Sequence, residues 1–276
     1  MVGTWLCMVD DNGLPIFERS YGIPPPGFSF SNAVLLFNIR QSCINGQFEM
    51  QQLASKDSHI VMKDFKCQCS SVIMILVTGD ISMSVSALQE KLQLIWDAMI
   101  MVMGLKVLNS RAQILRNSMR TVSALLDSLI NLNSFQAAIG VPEIALSGSK
   151  KLVAHVNQLA QHLETGTIAL YHSGILVAGS SSWNELHSRD LFLLSSLIRC
   201  APEVRCRDIA IYLPTSELGE ESSPGLTLYR LVSVRLVGEL EILALNPSRN
   251  LTESILALRS GKYIHHKPFF IIISRL

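Results

Sequence analysis

The pattern of apolar and polar positions divides the chain into two runs of similar order. Residues 4–9 (Thr-Trp-Leu-Cys-Met-Val) are apolar and β-prone. Asp10-Asp11-Asn12-Gly13 follows as a hairpin-turn cluster, because Asn-Gly accepts positive φ. Leu14 to Tyr21 reads as the return strand, with Pro15 at its start, where a missing N–H is harmless. Pro24-Pro25-Pro26-Gly27 then forbids helix and sheet alike. A helix is predicted from Phe30 to Ile44, with Ser29 or Ser31 near its cap. Three strands are predicted next, at Gln47–Leu53, His59–Lys66 and Ser71–Thr78, then helices at Leu88–Gly104 and Ala112–Leu132. The order is ββαβββαα.

Gly140, Pro142, Gly148 and several serines between Asn133 and Ser149 read as a linker, so residues 1–135 form a first domain and 136–148 a connection. A second domain is expected over 149–262. Its opening helix carries Leu152, Val153, Val156, Leu159, Ala160 and Leu163 on one i, i+3/i+4 stripe. Strands Thr167–Tyr171 and Ile175–Ala178 follow, joined through His172-Ser173-Gly174. A helix over Arg189–Cys200, strands at Asp208–Leu213, Leu226–Val237 and Glu239–Leu245, and a closing helix over Leu251–Arg259 complete it. The polar, acidic run Glu217–Pro224 reads as an exposed hairpin loop. The ββαβββα core thus occurs twice, as a repeat of architecture rather than of residues. The expected fold class is α+β: two tandem modules, each a five-stranded, mostly antiparallel sheet with helices packed on it. Residues 263–276 are left as an apolar tail.

One predicted helix breaks the usual pattern. On Phe30–Ile44, Phe30, Ala33, Val34, Phe37 and Ile44 form one apolar face, and Leu35, Leu36, Ile39 and Cys43 form a second. Together they span roughly 260°, far more than the ~100° stripe of a one-sided surface helix. Either the chain's own Pro-rich loop boxes the helix in, or another subunit or domain covers the second face. Phe30, Val34 and Phe37 are assigned to the parent sheet and Leu35, Leu36 and Ile39 to a partner, although periodicity alone separates two stripes without fixing which one is inward.

Composition sharpens this reading. The chain has 276 residues, 49% of them hydrophobic and 16% charged. So apolar a chain has a large surface to hide, in its cores and against partners. A net charge of +1 implies no strong pull on nucleic acid or acidic membrane. The N-terminus lacks the basic start and long apolar run of a secretory signal. Leu92 to Leu108 comes nearest to a membrane span, but Asp97 and Lys106 interrupt it, and a buried helix fits better.

Catalytic and metal chemistry is sparse. Neither Gly-x-Gly-x-x-Gly nor a phosphate-binding Gly-x-x-x-x-Gly-Lys-Ser/Thr occurs; Ser147-Gly148-Ser149-Lys150-Lys151 has the residue types without the spacing. Six cysteines, at 7, 43, 67, 69, 200 and 206, read as buried reduced thiols, and Cys67-x-Cys69 is only half of a zinc set. Adjacent His265 and His266 point to opposite faces on an extended chain, and His155 and His162 flank a helix without an acid between them. Ser173 beside His172 fits a tight turn better than a nucleophile. No catalytic residue, cofactor or metal is expected.

Several stretches in order resemble the longin-domain family of trafficking proteins, and within it the planar-cell-polarity effectors. They are Leu14-Pro-Ile-Phe-Glu-Arg-Ser20, Met101-Val-Met-Gly-Leu105, Ser173-Gly-Ile-Leu-Val-Ala178 followed by Trp183, Ile211-Tyr-Leu-Pro214, and the Leu226–Leu245 strand pair. The resemblance covers most of residues 4–260. It implies a non-catalytic adaptor that pairs with a second, Inturned-like longin protein and a WD-repeat planar polarity effector. It further implies regulation of a Rab-type small GTPase, contact with phosphoinositide membranes through the complex, and a cytoplasmic place at the ciliary base or basal body. Chains of this kind normally continue into a third longin-like region, of which the apolar tail would be the start. Two other readings stand beside it: a structural coat or tethering subunit without exchange activity, and a small-molecule enzyme on an α+β fold.

Overall fold

The computed structural model describes residues 3–23, 28–46, 50–66, 71–108, 110, 112–131, 149–162, 165–200, 206–214 and 225–245. The chain divides into two compact units, Met1–Ile139 and Gly140–Leu276. The expected linker, the acidic loop 217–224, the closing helix Leu251–Arg259, the apolar tail, Cys67, Cys69, His265 and His266 lie outside the described residues.

The first unit holds strands β1 (Thr4–Asp10) and β2 (Pro15–Tyr21), helix α1 (Phe30–Asn45), and strands β3 (Gln52–Ala54), β4 (His59–Lys66) and β5 (Ser71–Thr78). Helices α2 (Val85–Leu108) and α3 (Ala112–Ile130) complete it. The strands form one antiparallel sheet in the order β2-β1-β5-β4-β3. The β1–β2 turn depends on Gly13: its φ is +76°, and a Cβ there would lie 2.4 Å from the Phe37 ring of α1. Alternation along the strands gives the sheet two apolar faces. One carries Trp5, Cys7, Val9, Ile60, Met62, Ile73, Ile75 and Val77 against Ala33, Leu36 and Phe37 of α1. The other carries Leu6, Met8, Val72, Met74 and Leu76, all buried, with Phe65 stacked on Trp96 of α2 at 4.6 Å. Helix α2 has buried residues all round, which explains the near-membrane hydropathy of Leu92–Leu108. No described helix is long and apolar enough to cross a membrane. Gly104, the residue at which the sequence predicted α2 to stop, is non-helical (φ 73°, ψ 158°), and the chain resumes helix beyond it to Leu108.

The second unit opens with α4 (Ser149–His162), then β6 (Ile168–His172), β7 (Ile175–Gly179), a short α5 (Ser181–Asn184), α6 (Ser188–Cys200), and β8 (Cys206–Pro214), β9 (Leu226–Val237) and β10 (Leu240–Leu245). Its sheet is again antiparallel, in the order β7-β6-β10-β9-β8. Numbered within each unit, both sheets therefore run 2-1-5-4-3, as the repeated order implied. Leu152, Val156, Leu159 and Ala160 of α4 pack with Ile168, Leu170, Val232, Val234, Ile242 and Ala244 on one face, so the predicted stripe of α4 is its core face. The β6–β7 hairpin is a two-residue turn in which both Ser173 (φ 52°) and Gly174 (φ 72°) take positive φ.

Two expectations need correction. Of the strand predicted over Gln47–Leu53, residues 47–49 lie outside the described residues, Met50 and Gln51 are not strand, and the strand runs Gln52–Ala54 with its three residues all exposed. Sequence also missed α5. Its cap is Ser180, whose hydroxyl accepts from Trp183 N at 3.3 Å and Ile168 N at 3.1 Å and donates to Gly166 O at 2.9 Å. A polar residue 1% exposed thus joins the start of β6, the end of β7 and a helix N-terminus. Neighbouring Gly179 leaves no room for a Cβ, which would lie 2.5 Å from Asn184 Oδ1 and 2.9 Å from Trp183.

Candidate partner face on helix α1

Helix α1 starts at Ser29, whose extended backbone lets its carbonyl accept from Asn32 N and Ala33 N, both at 3.0 Å. The inner face of α1 is Ala33, Leu36, Phe37 and Arg40, all buried. Arg40 enters the core because its charge is answered there: Nη2 pairs with Asp64 of β4 and Nε donates to Met50 O at 3.2 Å. The outer face is apolar as well. Leu35 is 56% exposed and Ile39, four residues on and hence on the same side, is 40% exposed. Exposed Ser31, Asn38 and Ser42 flank them.

Of the three residues assigned to a partner, then, Leu35 and Ile39 stand outward together and Leu36 does not. Leu36 lies about 100° round the helix from Leu35, is 8% exposed, and belongs to the core cluster with Phe37 and Ile75. Its assignment to an outward stripe is corrected. Phe37 packs inward as expected, Val34 is half-buried, and the described residues give no side-chain environment for Phe30. The wide apolar arc arises because the helix is rotated to place Leu36 inside while Leu35 stays out.

Groups with catalytic potential are arranged for structure. Ser173 Oγ lies 3.2 Å from His172 Nδ1 and donates its proton to Glu239. A nucleophile needs its base to take that proton; here a carboxylate holds it, at an exposed turn. The Cys7 thiol is pushed up to about 12, by burial first and the Glu18 carboxylate second, and so stays protonated. Burial lowers Lys91 to about 8, with the Asp80 carboxylate pulling the other way. No three His, Cys, Asp or Glu side chains come together as a metal set among the described residues. Two shallow grooves follow β2. One, about 670 Å³, is lined by Pro15, Ile16, Phe17, Glu18 and Arg116, and the other, about 420 Å³, by Glu18 to Tyr21 and Asp127. Arg116 and Asp127 of α3 are already engaged there, Arg116 donating to Pro15 O at 3.0 Å and Ile16 O at 3.2 Å and Asp127 pairing with Arg19.

Sequence reasoning passed over a second polar group. Glu241 of β10, 5% exposed, accepts from Ser233 Oγ at 2.9 Å, Arg235 at 3.3 Å and Arg207 at 3.5 Å. It stands opposite Tyr171, whose hydroxyl accepts from Ser195 of α6 at 3.1 Å. The available signal was a single acid within the otherwise apolar run Leu240–Leu245, with Arg235 on the adjacent strand β9 and Arg207 on β8 beyond it.

No protein-family model matches the chain. Curated relatives do. The Homo sapiens "Protein fuzzy homolog" is 25% identical over 261 residues, covering 90% of this chain and 59% of the relative. The Mus musculus protein of the same name is 24% identical over 244 residues (86% and 56%), and the Xenopus tropicalis one 22% over 267 residues (94% and 61%). Over most of its length the chain is similar to these fuzzy homologues. It spans 56–61% of the length of these fuzzy relatives. Its two five-stranded antiparallel sheets with packed helices have the tandem longin-like organisation that the sequence implied. The stretch Ser173–Ala178 with Trp183, one of those that carried the longin-domain resemblance, includes the positive-φ turn, the strand ending at Gly179 and the fully buried Trp183, which meets Tyr171 edge-on at 6.1 Å.

Proposed function

We propose that this chain is a non-catalytic adaptor subunit of a ciliogenesis and planar-cell-polarity effector complex. It pairs with a second, Inturned-like longin protein, and with a WD-repeat effector the pair regulates a Rab-type small GTPase in vesicle or ciliary trafficking. Its place of action is cytoplasmic, at the ciliary base. Any contribution to nucleotide exchange belongs to the complex. Similarity to fuzzy homologues along 86–94% of the chain supports the setting. The observation that carries the pairing is the outward Leu35–Ile39 pair on a helix whose opposite face is already packed. An aliphatic side chain gains ~1.5–3 kcal/mol on burial, and a second longin module recovers that at this face.

The test is the double variant Leu35→Asp with Ile39→Lys. Its melting temperature should match wild type, because both side chains already face water. Co-purification with the Inturned-like partner should be lost, and with it any acceleration of nucleotide release from the GTPase by the assembled complex. Unchanged melting together with unchanged pairing would place the interface elsewhere. A complex that forms normally and leaves nucleotide release unaltered would favour the structural coat or tethering reading.

A further inference from the structure

The two sheets present four edge strands, and three of them are guarded. On β2 the Arg116 side chain occupies the Pro15 and Ile16 carbonyls, and Glu18 and Arg19 sit mid-strand. Strand β3 is three residues long, and β7 is five and ends at buried Ser180. Strand β8 is different: nine residues, with its other edge unpaired among the described strands.

The direction of its free backbone groups follows from the ladder. Leu245 N donates to Thr167 O at 3.0 Å, which fixes the alternation on β10. Leu243 and Glu241 then point their backbone groups at β6, and Ala244 and Ile242 point theirs at Val232 and Val234 of β9. Leu231 and Ser233 face β8, meeting Ile209 and Arg207. The N–H and C=O groups of Asp208, Ala210 and Tyr212 are left pointing away from the sheet. Such a row is a template for another strand.

The geometry points to pairing of β8 with β8 of a second copy of this chain, antiparallel about a two-fold at Ala210, joining two five-stranded sheets into one of ten. The side chains select a copy of the same strand. In that register Ala210 meets Ala210, the half-buried Ile209 meets the buried Ile211 of the second copy, and the exposed Asp208 meets the half-buried Tyr212. No like charges are opposed. Asp208 is already neutralised by Arg230, whose Nε donates to both its oxygens at 2.8 and 3.0 Å and which holds its carboxyl below the usual range. The same operation centred on β2 would set Glu18 on Glu18, and one residue along Arg19 on Arg19, each a repulsive pair.

Analytical ultracentrifugation of the full chain tests this across a concentration series. The wild-type chain should form a concentration-dependent dimer. Ala210→Pro removes the central outward N–H, at an edge position where the sheet's own ladder loses nothing. Ala210→Lys places two ammonium groups face to face. Each should weaken the dimer at least about tenfold with melting unchanged, and the lysine variant carries the test if the proline variant misfolds. Leu35→Asp with Ile39→Lys should leave this dimer intact. A wild-type chain that is monomeric at its highest soluble concentration overturns the inference, whether or not β8 takes a strand from another protein. So does a dimer that survives both Ala210 substitutions, or one that only the α1 variant abolishes.

Discussion

The two sheets share the 2-1-5-4-3 strand order and treat equivalent faces differently. Under α1 the first sheet presents Trp5, Cys7, Ile73, Ile75 and Val77, and the charge that enters this layer, Arg40, comes from the helix and meets Asp64 at the margin. Under α6 the second sheet holds Glu241 inside a set of Arg207, Ser233 and Arg235. Topology thus fixes where a layer lies, while its chemistry is open to any set of side chains that fills it and answers every charge. The apolar layer draws on area removed from water. The polar one stands because its charges answer one another.

Breaking the polar layer should have the largest effect. Glu241→Ala removes the buried carboxylate that answers Arg207, Arg235 and Ser233 and should cost about 3–5 kcal/mol of unfolding free energy, read from urea titration of the second unit's transition. Replacing Arg207 and Glu241 together by methionine, with Ser233→Ala, should recover most of that loss. A large deficit in the combined variant would mean that the cluster does more than satisfy itself.

Lys91 makes the contrast within the first unit. The residue is 7% exposed, and its ammonium is held at about 8, against an ordinary 10.5, chiefly by burial. At pH 7 the lysine is charged folded and unfolded, so the whole desolvation penalty acts. As pH rises from about 8 to 10.5 the folded state loses its proton first, and stability climbs. Lys91→Met should therefore stabilise the first unit at neutral pH by roughly 3 kcal/mol and flatten the rise across that window in thermal melts recorded at successive pH values. Ser180→Ala should be milder, about 1 kcal/mol from a lost cap, and should act on the second unit alone.

Much of this was legible in the sequence. Strand ends at His59–Lys66, Ser71–Thr78 and Leu226–Val237 were read correctly because continuous apolar or alternating runs are bounded there by turn residues. What escaped depends on three dimensions. Leu36 looked like the partner of Leu35 because both lie on one apolar arc, and only the sheet beneath fixes the rotation that buries one and exposes the other. Helix α5 is one turn long, too short for periodicity, and exists because Ser180 caps it from the core. The Glu241 cluster needs Arg207 of β8 brought beside the β9–β10 hairpin, so the lone acid in Leu240–Leu245 does not by itself announce it.

The pairing at the centre of each sheet has a consequence for assembly on the ribosome. In both units the first strand lies beside the last, Asp10 against Val72 and His172 against Leu240. The hairpins β1–β2 and β6–β7 close over a few residues, but the seam between each hairpin and the rest must wait for the fifth strand to be made. At ~5–20 residues per second of synthesis, a nascent unit spends several seconds as two half-sheets with apolar faces open, β1 and β6 among them. This interval is when a chaperone has most to offer, and afterwards each sheet's most distant contacts lie in its protected middle.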